Sequence, residues 1–279
     1  MSRFTKDIKT FSIEFDEEKF DETKYAKQVA KRYQTEHTEF KVEPDDLLQY
    51  IEDLIYQYEE PFADASALPT YILSKLTRQY VTVALSGDGG DESFGGYDKY
   101  RYHLLLQRYK LIFKAMRPIQ GLVSNRELEI AIQLASKSIA NRHYNFTHFF
   151  SEIEKREVLQ KGILQELQKQ NNIFTDLVKD KAFAEEIGQV FYLDLNSYIP
   201  DDINTKTDIA SMASALEVRA PFLDHELVSL AAKIPANQKF NTREGKLILK
   251  KTLEDKLSKD ILYRKKHGFS VPLAAWFRG

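Results

Sequence analysis

The feature that most constrains this chain is the order of its residue periodicities over the first third: strand, helix, strand, helix, helix, strand. Thr10 to Phe15 alternates polar and apolar residues. From about Asp21 to Thr35 the pattern is helical, with Tyr25, Val29 and Tyr33 four apart on one face and Asp21 where an N-cap would stand. His37 to Val42 alternates again. Pro44 and Asp45 open a helix that runs to about Tyr58, and Leu68 to Tyr80 gives another after Asp64-Ala65-Ser66. Val81 to Leu85 then reads as a buried strand. Strands separated by helices need crossover connections, which favours parallel pairing. The expected fold is therefore α/β, a parallel sheet wrapped by helices, with any ligand beyond the carboxyl ends of the strands.

After Gly96 the strand pattern fades. Helical patterns run from Tyr97 to about Met116, Glu127 to Ser138, Ala210 to Leu216 and Asp224 to Lys233, and the charged 152–187 region reads as amphipathic helix with a solvated face. The chain thus divides into an α/β part, 1–96, and a mainly helical part, 97–279. With 43% hydrophobic positions in 279 residues, it can bury one large core or two modest ones. Forty basic against 42 acidic residues give a net charge of −2, so no broad cationic face is expected for nucleic acid or an anionic membrane. No apolar run is long enough to span a bilayer, and Arg3, Lys6, Asp7 and Lys9 interrupt the place of a secretory signal. The expected setting is cytoplasmic. The sequence contains no cysteine, which excludes a thiol nucleophile, disulfides and cysteine-ligated metals within it, and none of the six histidines has metal-ligand spacing.

The segment richest in chemistry is LSGDGGDESFGGY, Leu85 to Tyr97. An expected strand runs directly into five glycines, the carboxylates Asp88, Asp91 and Glu92, and two serines. Glycines at this density let backbone N–H groups approach an oxyanion, and carboxylates are the usual protein partners of phosphate-bound magnesium. The competing reading is an acidic glycine turn with no ligand. Specific alternatives fail on spacing: the Gly-Lys-Ser/Thr of a Walker A loop and the dinucleotide glycine fingerprint are absent, and the EF-hand glycine position falls on Ser93.

LSGDGGDESFGGY resembles the signature loop of asparagine synthetases and their relatives, the β-lactam synthetases, lasso-peptide cyclases and polysaccharide-modifying amidotransferases. Three further segments resemble the same family in the same order: Lys9 to Phe15, then Tyr198-Ile-Pro-Asp-Asp202 leading into Lys206 to Val228, then Arg264 to Gly279. The resemblance implies an adenine nucleotide alpha hydrolase-like fold of the ATP-pyrophosphatase type, with the helical part completing the same synthetase domain. It also implies ATP and magnesium as cofactors and aspartate and ammonia as substrates. In the reaction so implied, the aspartate side-chain carboxylate attacks the α-phosphorus of ATP, pyrophosphate leaves, and ammonia displaces AMP.

The same resemblance carries roles to individual positions. Ile13, Ser86 and Gly87 match contacts to the adenosine part of ATP. Asp91 matches a magnesium and pyrophosphate ligand, and Asp88 matches a residue facing the acyl-phosphate that is usually Glu in asparagine synthetases, one methylene longer. Lys266 matches a lysine over the α-phosphate, where negative charge builds as pyrophosphate departs; alone, its run Arg264-Lys265-Lys266 would read as an exposed basic patch. Asp208 and Glu217 match positions near the acyl-adenylate and the ammonia exit, while the small residues Ala210, Ser211, Ala213, Ser214 and Ala215 fit close helix packing, ahead of the alternative that they line a tunnel. Tyr97 either packs over the site or only begins the next helix.

Two departures bear on activity. The family's glutaminase domain, with its catalytic cysteine, and its SGGxDS pyrophosphate loop are missing from this chain, which therefore reads as a synthetase domain truncated at both ends and inactive alone. Whether it forms a homodimer stays open. Other classes also stay open: a related amidotransferase or cyclase acting on another carboxylate, a catalytically silent module, or an RNA-modifying ATP pyrophosphatase, although the last should show a basic face or a cysteine pair. Without a cysteine to form a thioester, the purified chain is expected to release no glutamate from glutamine, which a coupled glutamate assay measures directly.

Overall fold

The computed structural model of the chain describes residues 1–17, 20–147, 155, 157–169, 172–265, 268 and 278. In chain order these form β1 (Lys9–Glu14), α1 (Thr23–Tyr33), β2 (Glu36–Lys41), α2 (Pro44–Tyr58), α3 (Ala67–Thr77) and β3 (Val83–Leu85). Next come α4 (Gly90–Phe94), α5 (Asp98–Arg108), α6 (Lys110–Met116), α7 (Arg126–Ala135) and α8 (Ile139–Thr147). Beyond two further helices at Lys161–Lys169 and Ile173–Val178 lie α9 (Gly188–Leu193) and a π-helical stretch, Asp194–Asn204. The chain continues with α10 (Thr205–Met212), β4 (Glu217–Arg219), α11 (His225–Lys233) and α12 (Ala236–Lys239). No helix among the described residues is long and apolar enough to cross a membrane.

Contacts divide the chain into two compact units that are discontinuous in sequence. The first comprises Met1–Asp88, Pro200–Pro221 and Thr252–Gly279; the second comprises Gly89–Ile199 and Phe222–Lys251.

In the first unit, local chemistry sets the element ends. The Asp21 carboxylate accepts from the Thr23 N–H and hydroxyl, each at 2.9 Å, to start α1. At α2, Pro44 takes the first turn, and the Glu43 N–H donates to Asp46 Oδ2 at 2.8 Å in a reciprocal capping box. β1 and β2 pair in parallel from Lys9 opposite Glu36 to Glu14 opposite Lys41, with α1 as the crossover. Ile13, Phe15, Val42, Leu54, Leu68, Ile72 and Ala210 form the core under this pair. Asp64 joins α3 to α10: its Oδ1 accepts from the Ser66 N–H and hydroxyl, and its Oδ2 meets Lys206 Nζ at 2.7 Å. Burial pushes the Asp64 carboxyl up, but the Lys206 ammonium and the Ser66 bonds hold it below the usual carboxylate range.

β3 does not join β1 and β2. It pairs in parallel with β4, Val83 opposite Glu217 and Leu85 opposite Arg219, so the described strands form two ladders of two strands each rather than one sheet. Nor is β3 the buried strand expected from its composition, since Val83 is 42% and Leu85 51% exposed. The two residues share one face of a three-residue strand, and nothing described covers that face. Helix Tyr97 to Met116 is likewise two helices, separated at Tyr109.

The second unit packs Tyr100, Ile139, Val190, Phe191 and Phe240 around a buried charge. Asp194, fully buried, accepts from Lys99 Nζ at 2.7 Å, from His143 Nε2 at 2.9 Å and from the Tyr100 hydroxyl. Burial raises its carboxyl, and the Lys99 charge and His143 bond outweigh that and hold it low. His103 stacks on His143 with ring centroids 5.7 Å apart, and neither of its nitrogens has a hydrogen-bond partner. Burial, reinforced by His143, drives the His103 imidazole well below its ordinary 6.5. The unfolded chain therefore takes up a proton below pH 6.5 that the folded chain refuses, and stability falls as pH drops through that window. His103→Leu should flatten the loss of urea stability between about pH 7 and 5, and an unchanged slope in equilibrium denaturation would place the acid sensitivity elsewhere.

Candidate functional site

The glycine-rich segment leaves β3 and passes from the first unit to the second between Asp88 and Gly89. In the first unit, a cleft of about 430 Å³ opens at the carboxyl ends of β3 and β4, where a parallel pair places its ligand. Ser86, Asp88, Thr207, Asp208 and Ser211 supply its polar lining. The Ser86 N–H donates to the Arg219 carbonyl at 2.9 Å, extending the ladder one step past β3. This fixes the Ser86 hydroxyl, which donates to Asp88 Oδ2 at 2.9 Å, and Thr207 reaches the same oxygen at 3.4 Å. No lysine or arginine is among the described lining residues, so the cleft is a hydroxyl-rich, acidic surface that would need a cation before it could hold phosphate.

Three other expected residues are not among the lining of this cleft. Ile13 is buried in the core of β1, available to a ligand only through backbone and packing. Gly87 is exposed with open space where a Cβ would stand. Glu217 is bound by Arg219 Nε at 2.6 Å, and since Val218 lines the cleft, strand alternation turns Glu217 to the other face.

In the second unit, α4 carries Asp91 and Glu92. Asp91 Oδ1 is 2.9 Å from Lys246 Nζ, and the carboxylate lies against Gly96 so closely that any Cβ there would collide with it. Tyr97 is the N-cap residue of α5, and its hydroxyl donates to Glu92 Oε1 at 2.5 Å. Glu92 is 1% exposed; burial pushes its carboxyl up against the opposing pull of that bond. Tyr97 therefore both begins the helix and holds Glu92. Asp91 has no carboxylate or histidine cluster around it, because no group of three or more metal-ligating side chains occurs among the described residues. Lys266 lies outside the described residues.

A family model described as asparagine synthase matches residues 1–279. The chain belongs to the asparagine synthase family. Asparagine synthetase [glutamine-hydrolyzing] 1 of Bacillus subtilis is 29% identical over 99% of this chain and 44% of its own length. A protein of Mycobacterium bovis is 30% identical over 96% of this chain and 42% of its own. More distant is amidase chyE of Penicillium rubens, 22% identical over 96% of this chain and 44% of its own length. The chain thus spans less than half the length of these curated relatives.

Within this asparagine synthase-family chain, the structure brings Ser86, Asp88 and Asp208 to one cleft and places Asp91 and Tyr97 in the other unit. Sequence reasoning missed Thr207 and Lys246, and set Ser211 among the residues expected mainly to pack. Thr207 and Ser211 lie in a segment already singled out, where helical spacing would have put Ser211 one turn from Asp208 and Thr207. For Lys246 the available signal was the Gly245-Lys246 pair, and nothing in sequence ties it to Asp91. Glycine requirements within the loop differ by position. Gly89 has φ +86 and lies against Leu223, whereas Gly87 has neither constraint. Gly89→Ala should lower denaturant stability by about 1–3 kcal/mol and Gly87→Ala by less than about 1 kcal/mol. Equal losses in paired urea titrations would show that loop strain does not depend on Gly89.

Proposed function

We propose that this chain performs the ATP-dependent amidation step of a glutamine-dependent asparagine synthetase, on an ATP-pyrophosphatase type fold. The observation that carries the reading is the cleft at the carboxyl ends of β3 and β4, where Ser86 and Thr207 both bond the Asp88 carboxylate, in a chain matched by the family over residues 1–279. Ser86, Gly87 and the backbone of Ile13 hold the adenosine. Asp88 and Asp208 face the reacting carboxyl group, and Lys266 answers the charge that grows on the α-phosphate. Glu217 is left as the partner of Arg219.

Magnesium fits Asp91 as one carboxylate among substrate phosphates and waters, the arrangement this ion favours, and when bound it neutralises phosphate charge during transfer. Lys246, already 2.9 Å from the same carboxylate, adds a fixed positive charge beside it. The substrates are the aspartate side-chain carboxylate, activated as an adenylate with loss of pyrophosphate, and ammonia, which then displaces AMP. The glutaminase that makes the ammonia belongs to a domain outside this chain, which has no cysteine for the task. Positioning and electrostatics supply most of the rate in such a site. A second reading is amidation of a different carboxylate, since the chain also resembles, at 22% identity, a protein not named as an asparagine synthetase, amidase chyE.

The test is pyrophosphate release from ATP by the protein that carries this chain, with aspartate and ammonia supplied. Lys266→Ala should lower turnover about 100-fold or more while the ATP Michaelis constant changes little, the mark of an interaction made in the transition state. Release that ignores aspartate but responds to another carboxylate would decide for the second reading. ATP affinity lost at unchanged turnover would make Lys266 a ground-state binding residue.

A further inference from the structure

From α5 to the start of α7, within the second unit, the chain carries charge of one sign only. None of the 28 residues from Lys99 to Arg126 is acidic and seven are lysine or arginine, although the whole chain has a net charge of −2. The basic charge is therefore local. At its centre α6 and a 3-10 helix, Arg117–Leu122, follow each other without a break. Phe113 packs inward against Leu106, Leu134 and Ala135, which fixes the side that α6 keeps outward. On that outer side Leu111 is 81%, Ile112 57% and Ile119 50% exposed, and Ala115 and Pro118 are exposed with them. Arg108, Lys110, Lys114 and Arg117 are exposed alongside, and among the described residues no carboxylate pairs with Lys110, Lys114 or Arg117.

Single exposed aliphatic residues are ordinary on a protein surface, but Leu111, Ile112, Ala115, Pro118 and Ile119 recur at the spacing of one helix face, on the side away from the core. Phe113 already serves the core, so this second apolar stripe is left in water. The basic residues beside it select what can cover it. Nucleic acid would answer the lysines and arginines with phosphate and leave Leu111 and Ile112 in water, whereas an anionic lipid surface offers phosphate at its headgroups and hydrocarbon just beneath. Tyr109 is 41% exposed, with the Arg108 guanidinium 5.8 Å from its ring centroid, and a tyrosine suits the headgroup level. The helix packed on α6, α7, brings Glu127 and Glu129 in its first turn, which leaves the basic residues in excess. We propose that this face docks the protein reversibly on an anionic lipid surface, Leu111, Ile112 and Ile119 entering the boundary between headgroups and acyl chains and Arg108, Lys110, Lys114 and Arg117 answering the lipid phosphates. The stretch lies on the bilayer and does not cross it.

The proposal is independent of the reaction assigned above and is tested by co-sedimentation of the protein that carries this chain with vesicles of phosphatidylcholine, alone or with about a third phosphatidylglycerol. The anionic vesicles should bind it at least about tenfold more tightly than the neutral ones, and raising salt from about 0.1 to 0.5 M should release much of it. Lys114→Ala and Arg117→Ala should each cost about fivefold on anionic vesicles. Leu111→Gln combined with Ile112→Gln should cost about tenfold there, with the unfolding temperature unchanged because both side chains are exposed. Should the double variant fail to fold, the single Leu111→Gln change and the two charge variants decide the matter. Equal binding to the two kinds of vesicle, or no binding up to about 10 mM lipid, roughly a hundred times what a single myristoyl chain needs, would overturn the proposal. So would unchanged vesicle affinity in the folded glutamine variants, which would reduce the attraction to charge alone. Self-association of the protein that the glutamine variants abolish, without vesicle binding, would make the face a protein interface and overturn it as well.

Discussion

The candidate site of the first unit depends on one short parallel ladder, between Val83–Leu85 and Glu217–Arg219. It brings together two stretches far apart in sequence and sets their carboxyl ends side by side, so that Ser86 and Asp88 from one and Ala220 from the other open on the same cleft. At about 1 kcal/mol net per hydrogen bond, three residues of ladder cannot hold that geometry alone. The remainder comes from α10, which packs against α3 and delivers Thr207, Asp208 and Ser211 to the cleft. Ala210, fully buried, permits that approach, and the Lys206–Asp64 pair fixes its height along α3. The cleft hydroxyls are consequences of a packed helix and a paired strand.

The second unit handles buried charge in two contrasting ways. Asp194 is answered by Lys99, His143 and Tyr100, a set of the kind that specifies one arrangement of its helices. Lys239 is answered by an aromatic face and by the charge of Glu185, one of whose oxygens also accepts from the Ala236 N–H. Removing a partner from a satisfied buried pair costs several kcal/mol, so the first set reads as structural. Tyr97 and Glu92 belong with the first kind: a buried acid kept by a phenol, steadying α4, the helix that also carries Asp91.

Much of the fold was legible because short-range physics decides it. Helices α1, α2 and α3 and strands β1 and β2 lie within a few residues of where apolar spacing and capping residues put them. β4 was not legible, because three residues with charges at both ends carry no alternation long enough to read. The exposure of Val83 and Leu85 was equally hidden: apolar composition states a preference for burial, and only the presence of neighbouring elements satisfies it. The change of pattern at Gly96 misses β4, and the compact units cross it in both directions, since contacts and not local pattern define them.

By itself the sequence determined the element order, the glycine-rich loop after β3, the absence of a thiol and the family, because each is written in local pattern or in residue identity. Tertiary structure alone decided which of the loop's acids share a cleft with Asp208, that Glu217 turns away toward Arg219, and that Lys246 meets Asp91. It also decided that Lys239 is buried against the Phe191 ring. Proximity between residues far apart along the chain and the loss of water around a charge are properties of the packed state, and no local run of residues encodes either one.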